Sequence, residues 1–320
     1  MTMPLQVPTS ILVAFGGNAI LKEQQRGTAE EQFTNVEEAL ECVADLIQDG
    51  HKVIITHGNG PQVGVLMRQG EAAADLVPEM PLDVLVAKTQ GQIGYMIQHT
   101  LINIFRARQV KRNVVSIVTQ VVVDASDPAF SDPRKRVGRF YTEEEARAMM
   151  AADPDLVMKQ DAGRGWRRVV PSPEPIDVLE VDFVKEAYSR GDVVIACGGG
   201  GIPVMFSGGR YRGVEAVIDK DRASAVLAAR CNVELFLILT DVEQVYMDYN
   251  EPGQKGIEFM SVEEAMDHLR AGEFSEGSMR PKIEAAIEFL GMGGERVVIT
   301  SLEKVKDALD GRTGTHMSHL

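Results

Sequence analysis

Three runs of β-forming apolar residues each stop in a glycine-dense turn. Residues 11–15 lead into Gly16-Gly17-Asn18, residues 53–56 into His57-Gly58-Asn59-Gly60-Pro61, and residues 193–197 into Gly198-Gly199-Gly200-Gly201. Glycine lacks a Cβ, so backbone N–H groups in such turns can close on a ligand. Successive N–H groups aimed inward form an anion site, strongest where a helix begins just beyond. Three lysines stand where they could add charge to such a site. Lys282 follows Gly277-Ser278-Met279-Arg280-Pro281 and falls in the first turn of a helix, where a cation opposes the helix dipole unless an anion is near. Lys220 lies in Asp219-Lys220-Asp221, between an apolar segment and a helix, an odd place for idle charge. Lys135, between Arg134 and Arg136, reads by itself as solvated surface charge. The chemistry in view is capture of a small anion, with a phosphate favoured by Lys282.

Competing motifs fit less well. Residues 58–64 spell GxGxxxG after a strand, but a dinucleotide fold needs an acidic residue at the end of the next strand, about 20 positions on. Asp75 and Asp83 fall in a helical stretch and a Pro-flanked loop instead. Neither GxxxxGK[ST] nor the GxSxG nucleophile elbow is present.

The chain of 320 residues can bury a large core in one two-lobed domain or two domains. Its net charge of −14 disfavours nonspecific nucleic-acid binding and anionic membranes, and it repels anionic substrates at long range. Any anion site therefore needs local positive charge, which returns attention to the lysines. Cys42, Cys197 and Cys231 are isolated, which fits a reducing cytoplasm and neither a disulfide scaffold nor a zinc site. Cys197 could be a nucleophile, but a strand-end cysteine acting as a small hydrophobe is the stronger reading. The first ten residues show no basic-then-apolar leader, and no stretch reaches the ~18 apolar residues of a membrane helix. A cytoplasmic protein is expected.

Strand-length apolar runs alternate with longer helical patterns, which predicts βαβ units and a mainly parallel sheet. The first helix is expected over residues 36–48, with Gly50 ending it, and Pro61 opens a helix directly after the second glycine turn. A single strand is expected over 114–123. Residues 124–175, with six prolines and a capping box at Thr142 to Glu145, are too long for a simple loop and read as a lid or subdomain. Beyond it come a strand at 193–197, a hairpin around Gly208-Gly209, a helix from about 221 to 230 and a strand at 235–239. A helix capped by Ser261 and Glu264, a helix opened by Pro281 and a strand at 296–299 follow.

Long strings along residues 11–302 resemble the carbamate kinase family of the amino-acid kinase superfamily. They include Ala14-Phe15-Gly16-Gly17-Asn18-Ala19-Ile20, His57-Gly58-Asn59-Gly60-Pro61-Gln62-Val63-Gly64 and Thr119-Gln120-Val121-Val122-Val123-Asp124. Asp161-Ala162-Gly163-Arg164-Gly165-Trp166-Arg167, Gly198-Gly199-Gly200-Gly201-Ile202-Pro203 and Gly213-Val214-Glu215-Ala216-Val217-Ile218-Asp219-Lys220-Asp221 belong with them. The last is Met279-Arg280-Pro281-Lys282-Ile283-Glu284-Ala285-Ala286-Ile287. The resemblance implies an α/β fold, a three-layer αβα sandwich around a mainly parallel sheet, in a homodimer. It implies an acceptor lobe over residues 1–218, carrying the 124–175 insert as a protruding lid, and a nucleotide lobe over 219–320. The implied reaction is reversible phosphoryl transfer between ATP and carbamate, giving carbamoyl phosphate and ADP with Mg²⁺, in arginine or purine breakdown.

The resemblance also distributes roles. Gly16, Gly17, Asn18, Gly58, Asn59 and Gly60 would hold carbamate and the transferring phosphoryl group. Lys220 and Lys282 would flank the transferring oxygens, Asp221 would orient both lysines or cap a helix, and Lys135 would swing in from the insert. Gly198, Gly199, Thr240, Asp241, Val242, Tyr246 and Met279 would border the nucleotide, the third glycine turn shaping the floor where the lobes meet. No Mg²⁺ ligand is assigned. Relatives such as acetylglutamate kinase carry a lysine two places before the first Gly-Gly, where this chain has Ala14, so Lys135 and Lys220 must supply that charge. Acetylglutamate kinase-like activity is thereby weakened, and a non-catalytic nucleotide-binding regulator would have no need of the lysines and Asp221. Trp166 reads as an anchor of the insert, and His57 as a substrate contact or a turn-stabilising residue.

Overall fold

The computed structural model describes residues 9–319 apart from 23, 162 and 276, and the side chain of Asn18 also lies outside the described residues. Strands β1 (Ser10–Phe15) and β2 (Lys52–His57) are joined by helix α1 (Ala29–Gln48). Helices α2 (Gly60–Ala72) and α3 (Leu82–Arg108) and strands β3 (Val114–Ser116) and β4 (Gln120–Val123) follow. The insert supplies β5 (Lys135–Tyr141), α4 (Glu143–Ala152), β6 (Met158–Asp161) and β7 (Gly165–Val170). Next come β8 (Pro175–Val178), α5 (Val181–Ser189), β9 (Val193–Ile195), β10 (Ile202–Ser207) and β11 (Arg210–Gly213). The remaining chain forms α6 (Lys220–Arg230), β12 (Leu235–Thr240), β13 (Val245–Met247), β14 (Lys255–Ile257), β15 (Phe259–Ser261), α7 (Val262–Ala271) and α8 (Met279–Gly291). It closes with β16 (Arg296–Ser301), α9 (Val305–Leu309) and β17 (Thr315–Ser318).

The main sheet runs β15-β17-β16-β12-β1-β2-β9-β3, and all strands from β16 to β3 are parallel. Side chains alternate along each strand, so a sheet covered on both faces needs apolar residues at every position. In β1, Ile11, Val13 and Phe15 enter the core shared with α1, α3 and α9, while Leu12 and Ala14 enter the core shared with α5, α6 and α8. These two cores on either side of one sheet make the predicted αβα sandwich.

Local chemistry explains where elements begin and end. α1 starts at Ala29 rather than 36, because Thr28 and Glu31 form a capping box with bonds of 3.3 and 2.9 Å. The strand expected over 114–123 is divided. Ile117 N–H donates to Ile195 carbonyl at 2.9 Å to finish the main sheet. Thr119 N–H then turns to Gln90 Oε1 at 2.8 Å, and β4 continues in a second sheet ordered β11-β10-β4-β8. The insert builds its own sheet, β5-β7-β6, with Trp166 packed against its small core of Tyr141, Ala146 and Met158. Trp166 is thus an anchor.

Because β9, β2, β1 and β12 are adjacent and parallel, their carboxyl ends line up along one edge, where open α/β folds bind ligands. The three glycine turns lie side by side there. The third is tightly wound, with Cys197, Gly199, Gly200 and Gly201 all at positive φ. A Cβ on Gly199 would fall 2.1 Å from Asn59 Nδ2, and one on Gly198 would fall 2.4 Å from His57 Nε2. Glycine is required here so that the third turn can press against the second. His57 is buried, and its Nδ1–H donates to its neighbour Gly58's carbonyl at 2.9 Å. Burial lowers its pKa from the ordinary 6.5 to about 4, the Gly58 bond resists, and the charge of Lys220 pushes further down.

A pH dependence follows. Below pH 6.5 the unfolded chain takes up a proton on this histidine that the folded chain refuses until about pH 4, so stability falls as pH falls through that window. The loss attributable to His57 is roughly 3 kcal/mol at its limit. Urea midpoints at pH 7.5 and 4.5 should show it, and His57→Gln should flatten the slope between them.

Candidate active site

Asp219 ends the loop before α6 and caps it, accepting the backbone N–H of Asp221 at 2.9 Å. The cap is therefore Asp219, not Asp221, which leaves the Asp221 carboxylate for other work. Lys220 is the first residue of α6, and its ammonium pairs with Asp221 Oδ1. Lys282, in the first turn of α8, donates from Nζ to Asp221 Oδ2 at 2.9 Å. One carboxylate thus holds two ammonium groups, one per oxygen. Arg222 of α6 reaches Glu284 of α8 at 2.9 Å and fixes the packing of the two helices that present the lysines.

Burial alone would raise the Asp221 pKa, but the charges and hydrogen bonds of both lysines hold it well below the usual carboxylate range. The lysines divide unequally. Burial lowers Lys220, the attraction of Asp221 offsets this only in part, and the charge of Lys282 lowers it further. Burial also acts to lower Lys282, yet Asp221 outweighs it, with Asp219 and Asp241 adding attraction, so its pKa is raised. With both lysines charged, the trio carries one net positive charge in a largely buried place. Buried charge without a partner is costly, and an anion would supply the partner. The amino ends of α6 and α8 add their partial positive charge at the same point.

The glycine turns meet this trio. Gly58 donates its N–H to Phe15 carbonyl at 3.1 Å. A Cβ on it would lie 3.3 Å from Gly17 N and 3.7 Å from Lys220 Cδ. Gly17, Gly58 and Lys220 are therefore neighbours. Asn59 lies buried between the turns, with Nδ2 donating to Thr89 Oγ1 of α3 at 2.8 Å, and Gly60 starts α2. Asn18 takes part in the 3-10 turn at Gly17–Ala19 through its backbone. Lys135 reaches across from β5 to Asp219 Oδ2 at 3.1 Å. The two line a cleft of about 1060 Å³ between the insert and α6 and α8, with Arg136, Lys159 and Arg222 along its walls.

The nucleotide candidates scatter more widely. Gly16, Thr240 and Asp241 border a crevice of about 330 Å³ between the ends of β1 and β12, where the connections leave in opposite directions. Val242 follows Asp241, Tyr246 lies on β13 with its ring 6.1 Å from that of Tyr249, and Met279 starts α8. Gly198 and Gly199 stand apart, buried against His57 and Asn59, with β2 and β1 between them and β12. Cys197 is buried and burial pushes its thiol pKa up, which suits a packed side chain and not a nucleophile.

Residues to which the sequence reading gave no role also shape the site. Gln90 of α3 donates to Thr119 and Gly198 carbonyls at 3.1 and 3.0 Å and so pins the third turn. Asp219 was signalled by its position just before a helix, as capping residues are. Gln90 had no such signal, because its partners come from segments far away in sequence.

Comparison with known proteins identifies the family. A model described as the amino acid kinase family matches residues 9–301. Carbamate kinase of Thermococcus kodakarensis is 48% identical over 310 residues, covering 96% of this chain and 98% of that protein. Carbamate kinase of Pyrococcus furiosus is 46% identical over 309 residues, with 96% and 98% covered. The solved carbamate kinase from Giardia lamblia bound to AMP-PNP superposes with a TM-score of 0.93 at 43% identity, covering 98% of this chain and 99% of that one. The chain belongs to the amino acid kinase family, and within it to the carbamate kinases.

Proposed function

We propose that this protein transfers a phosphoryl group reversibly between ATP and carbamate, and that it works as an ATP-making enzyme on carbamoyl phosphate in arginine or purine catabolism. The observation that carries the chemistry is the single Asp221 carboxylate shared by Lys220 and Lys282 beside Gly17 and Gly58. In-line phosphoryl transfer needs positioning and neutralised charge more than covalent help from the protein. A carbamate oxygen attacks the γ-phosphorus of ATP, the bond to the β,γ-bridging oxygen breaks, and ADP leaves. In reverse, an ADP oxygen attacks the phosphorus of carbamoyl phosphate and carbamate leaves.

In this reading the turns at Gly16-Gly17-Asn18 and Gly58-Asn59-Gly60 offer main-chain donors to carbamate and the phosphoryl group. Lys220 and Lys282 flank the transferring oxygens, and Asp221 keeps both ammonium groups aimed. Lys135 closes the acceptor side from the insert, against Asp219. Thr240, Asp241, Val242, Tyr246 and Met279 border the nucleotide, and Gly198 and Gly199 serve it from behind by holding His57 and Asn59. Residues 1–218 act as the acceptor lobe, with 124–175 as its lid, and 219–320 as the nucleotide lobe. Among the described residues there is no group of three or more metal-ligating side chains. Asp219 and Asp221 are engaged by lysines, and Mg²⁺ would enter as the companion of the nucleotide, with phosphate oxygens and water supplying most of its ligands. When bound it would neutralise phosphate charge.

The cytoplasm is the proposed compartment, with Cys42, Cys197 and Cys231 as free thiols. No helix among the described residues is long and apolar enough to cross a membrane. The proposed assembly is a homodimer, for which the exposed Tyr95 and Ile102 on α3 provide apolar surface.

Incubation with carbamoyl phosphate, ADP and Mg²⁺ should yield ATP, and no ATP above background with nucleotide binding intact would remove the kinase reading. Lys220→Ala and Lys282→Ala should each lower kcat by about 10²-fold or more, the scale of losing a preorganised charge donor. Near-normal turnover in either variant would refute its role. Lys135→Ala should raise KM for carbamoyl phosphate while leaving KM for ADP within about twofold, the pattern of a lost substrate contact.

A further inference from the structure

Thr56 and Ser224 are both fully buried, and their hydroxyl oxygens lie 2.7 Å apart. Thr56 is next to the end of β2, one residue before His57 and two before Gly58. Ser224 is one helical turn into α6, after Lys220. The protons can be assigned by inventory. Ser224 Oγ lies 2.5 Å from Lys220 carbonyl, which can only accept, so the single Ser224 proton goes there. Ser224 Oγ must then accept from Thr56. The chain reads Thr56 O–H to Ser224 O–H to the carbonyl of Lys220.

Its surroundings do not call for a polar link. In β2, Val53, Ile54 and Ile55 are buried, and in α6 so are Ala223, Ala225, Val226, Leu227 and Ala228. A valine facing an alanine would pack there without any need for hydrogen bonds, and such replacement of both partners is often neutral for stability. What the polar pair adds is direction. Ala14, beside Thr56 in the parallel register and small, leaves this face of the sheet to α6. α6 could slide along an apolar face, whereas the Thr56–Ser224 bond ties it to the end of β2 and the Ser224–Lys220 bond within α6 carries that tie to the backbone of its first residue.

We propose that Thr56 and Ser224 are positioning residues that set Lys220 against the Gly58 turn, and so set the distance between the charge and the main-chain donors on the transferring group. The inference rests on the phosphoryl-transfer reading, and wild-type ATP formation from carbamoyl phosphate and ADP tests that reading in the same assay. If the wild type makes no ATP the function is wrong; if it does, the variants judge the strut.

Thr56→Val should lower kcat about tenfold or more, because small misplacements of catalytic groups are expensive, with KM for ADP held within about twofold. Thr56→Ser, which keeps the donor, should return kcat to within about threefold of wild type. The double variant Thr56→Val with Ser224→Ala supplies the separating readout. It should melt close to the wild type, since an apolar pair replaces a satisfied polar one, yet remain slow. Ser224→Ala, read in the same way, covers the case in which Thr56→Val does not fold. A normal kcat in the double variant, or recovery of kcat together with stability, would overturn the proposal, as would failure of Thr56→Ser to restore turnover.

Discussion

One carboxylate bearing two ammonium groups organises the active edge of this protein. Asp221 is 3% exposed, and both of its oxygens are taken by lysines from different helices. Removing one member of a buried charged cluster is far costlier than the cluster's net contribution to stability, because the remaining charges lose their partner. Asp221 therefore constrains α6 and α8 together, and the glycine turns are arranged around the point where the two helices begin. The residual positive charge of the trio is the physical reason to expect a phosphoryl group there, within a protein whose total charge is −14.

In the proposed function the glycines and lysines divide the work by chemistry. Main-chain N–H groups are rigid and short, so they suit a small acceptor and must approach it closely, and glycine at Gly58 keeps that approach open, since a Cβ there would lie 3.3 Å from Gly17 N. Lysine side chains are long, so they need restraint before they can act as preorganised charge. That restraint comes from acids: Asp221 for Lys220 and Lys282, and Asp219 for Lys135. Asp219 also caps α6, so one side chain both starts the helix and holds the insert against it.

Sequence alone revealed the edge more fully than the supports behind it. Strand-then-glycine patterns are local, so each of the three turns was legible by itself, whereas the order β9-β2-β1 that sets them side by side is a tertiary fact. Helix starts carry local signals too, and Thr142 with Glu145 and Ser261 with Glu264 cap α4 and α7 as expected. The same signal at Thr28 and Glu31 was passed over, which shortened α1 by two turns. The break between β3 and β4 depends on Ile195 and Gln90, and the Thr56–Ser224 link joins residues 168 positions apart. Such long-range partners leave no trace in composition or periodicity, so tertiary contacts decided what local pattern could not.

The proposed roles of Lys220 and Lys282 both run through Asp221, so its isosteric amide is the most direct test. Asp221→Asn keeps the shape and one acceptor oxygen but leaves two lysines without their counter-charge. Steady-state kinetics in the ATP-forming direction should show kcat reduced by about 10²-fold or more, the cost of losing electrostatic preorganisation, in a protein that still binds ADP. A folded Asp221→Asn variant with kcat within about threefold of the wild type would contradict the account, since the lysines would then need no shared carboxylate to hold them.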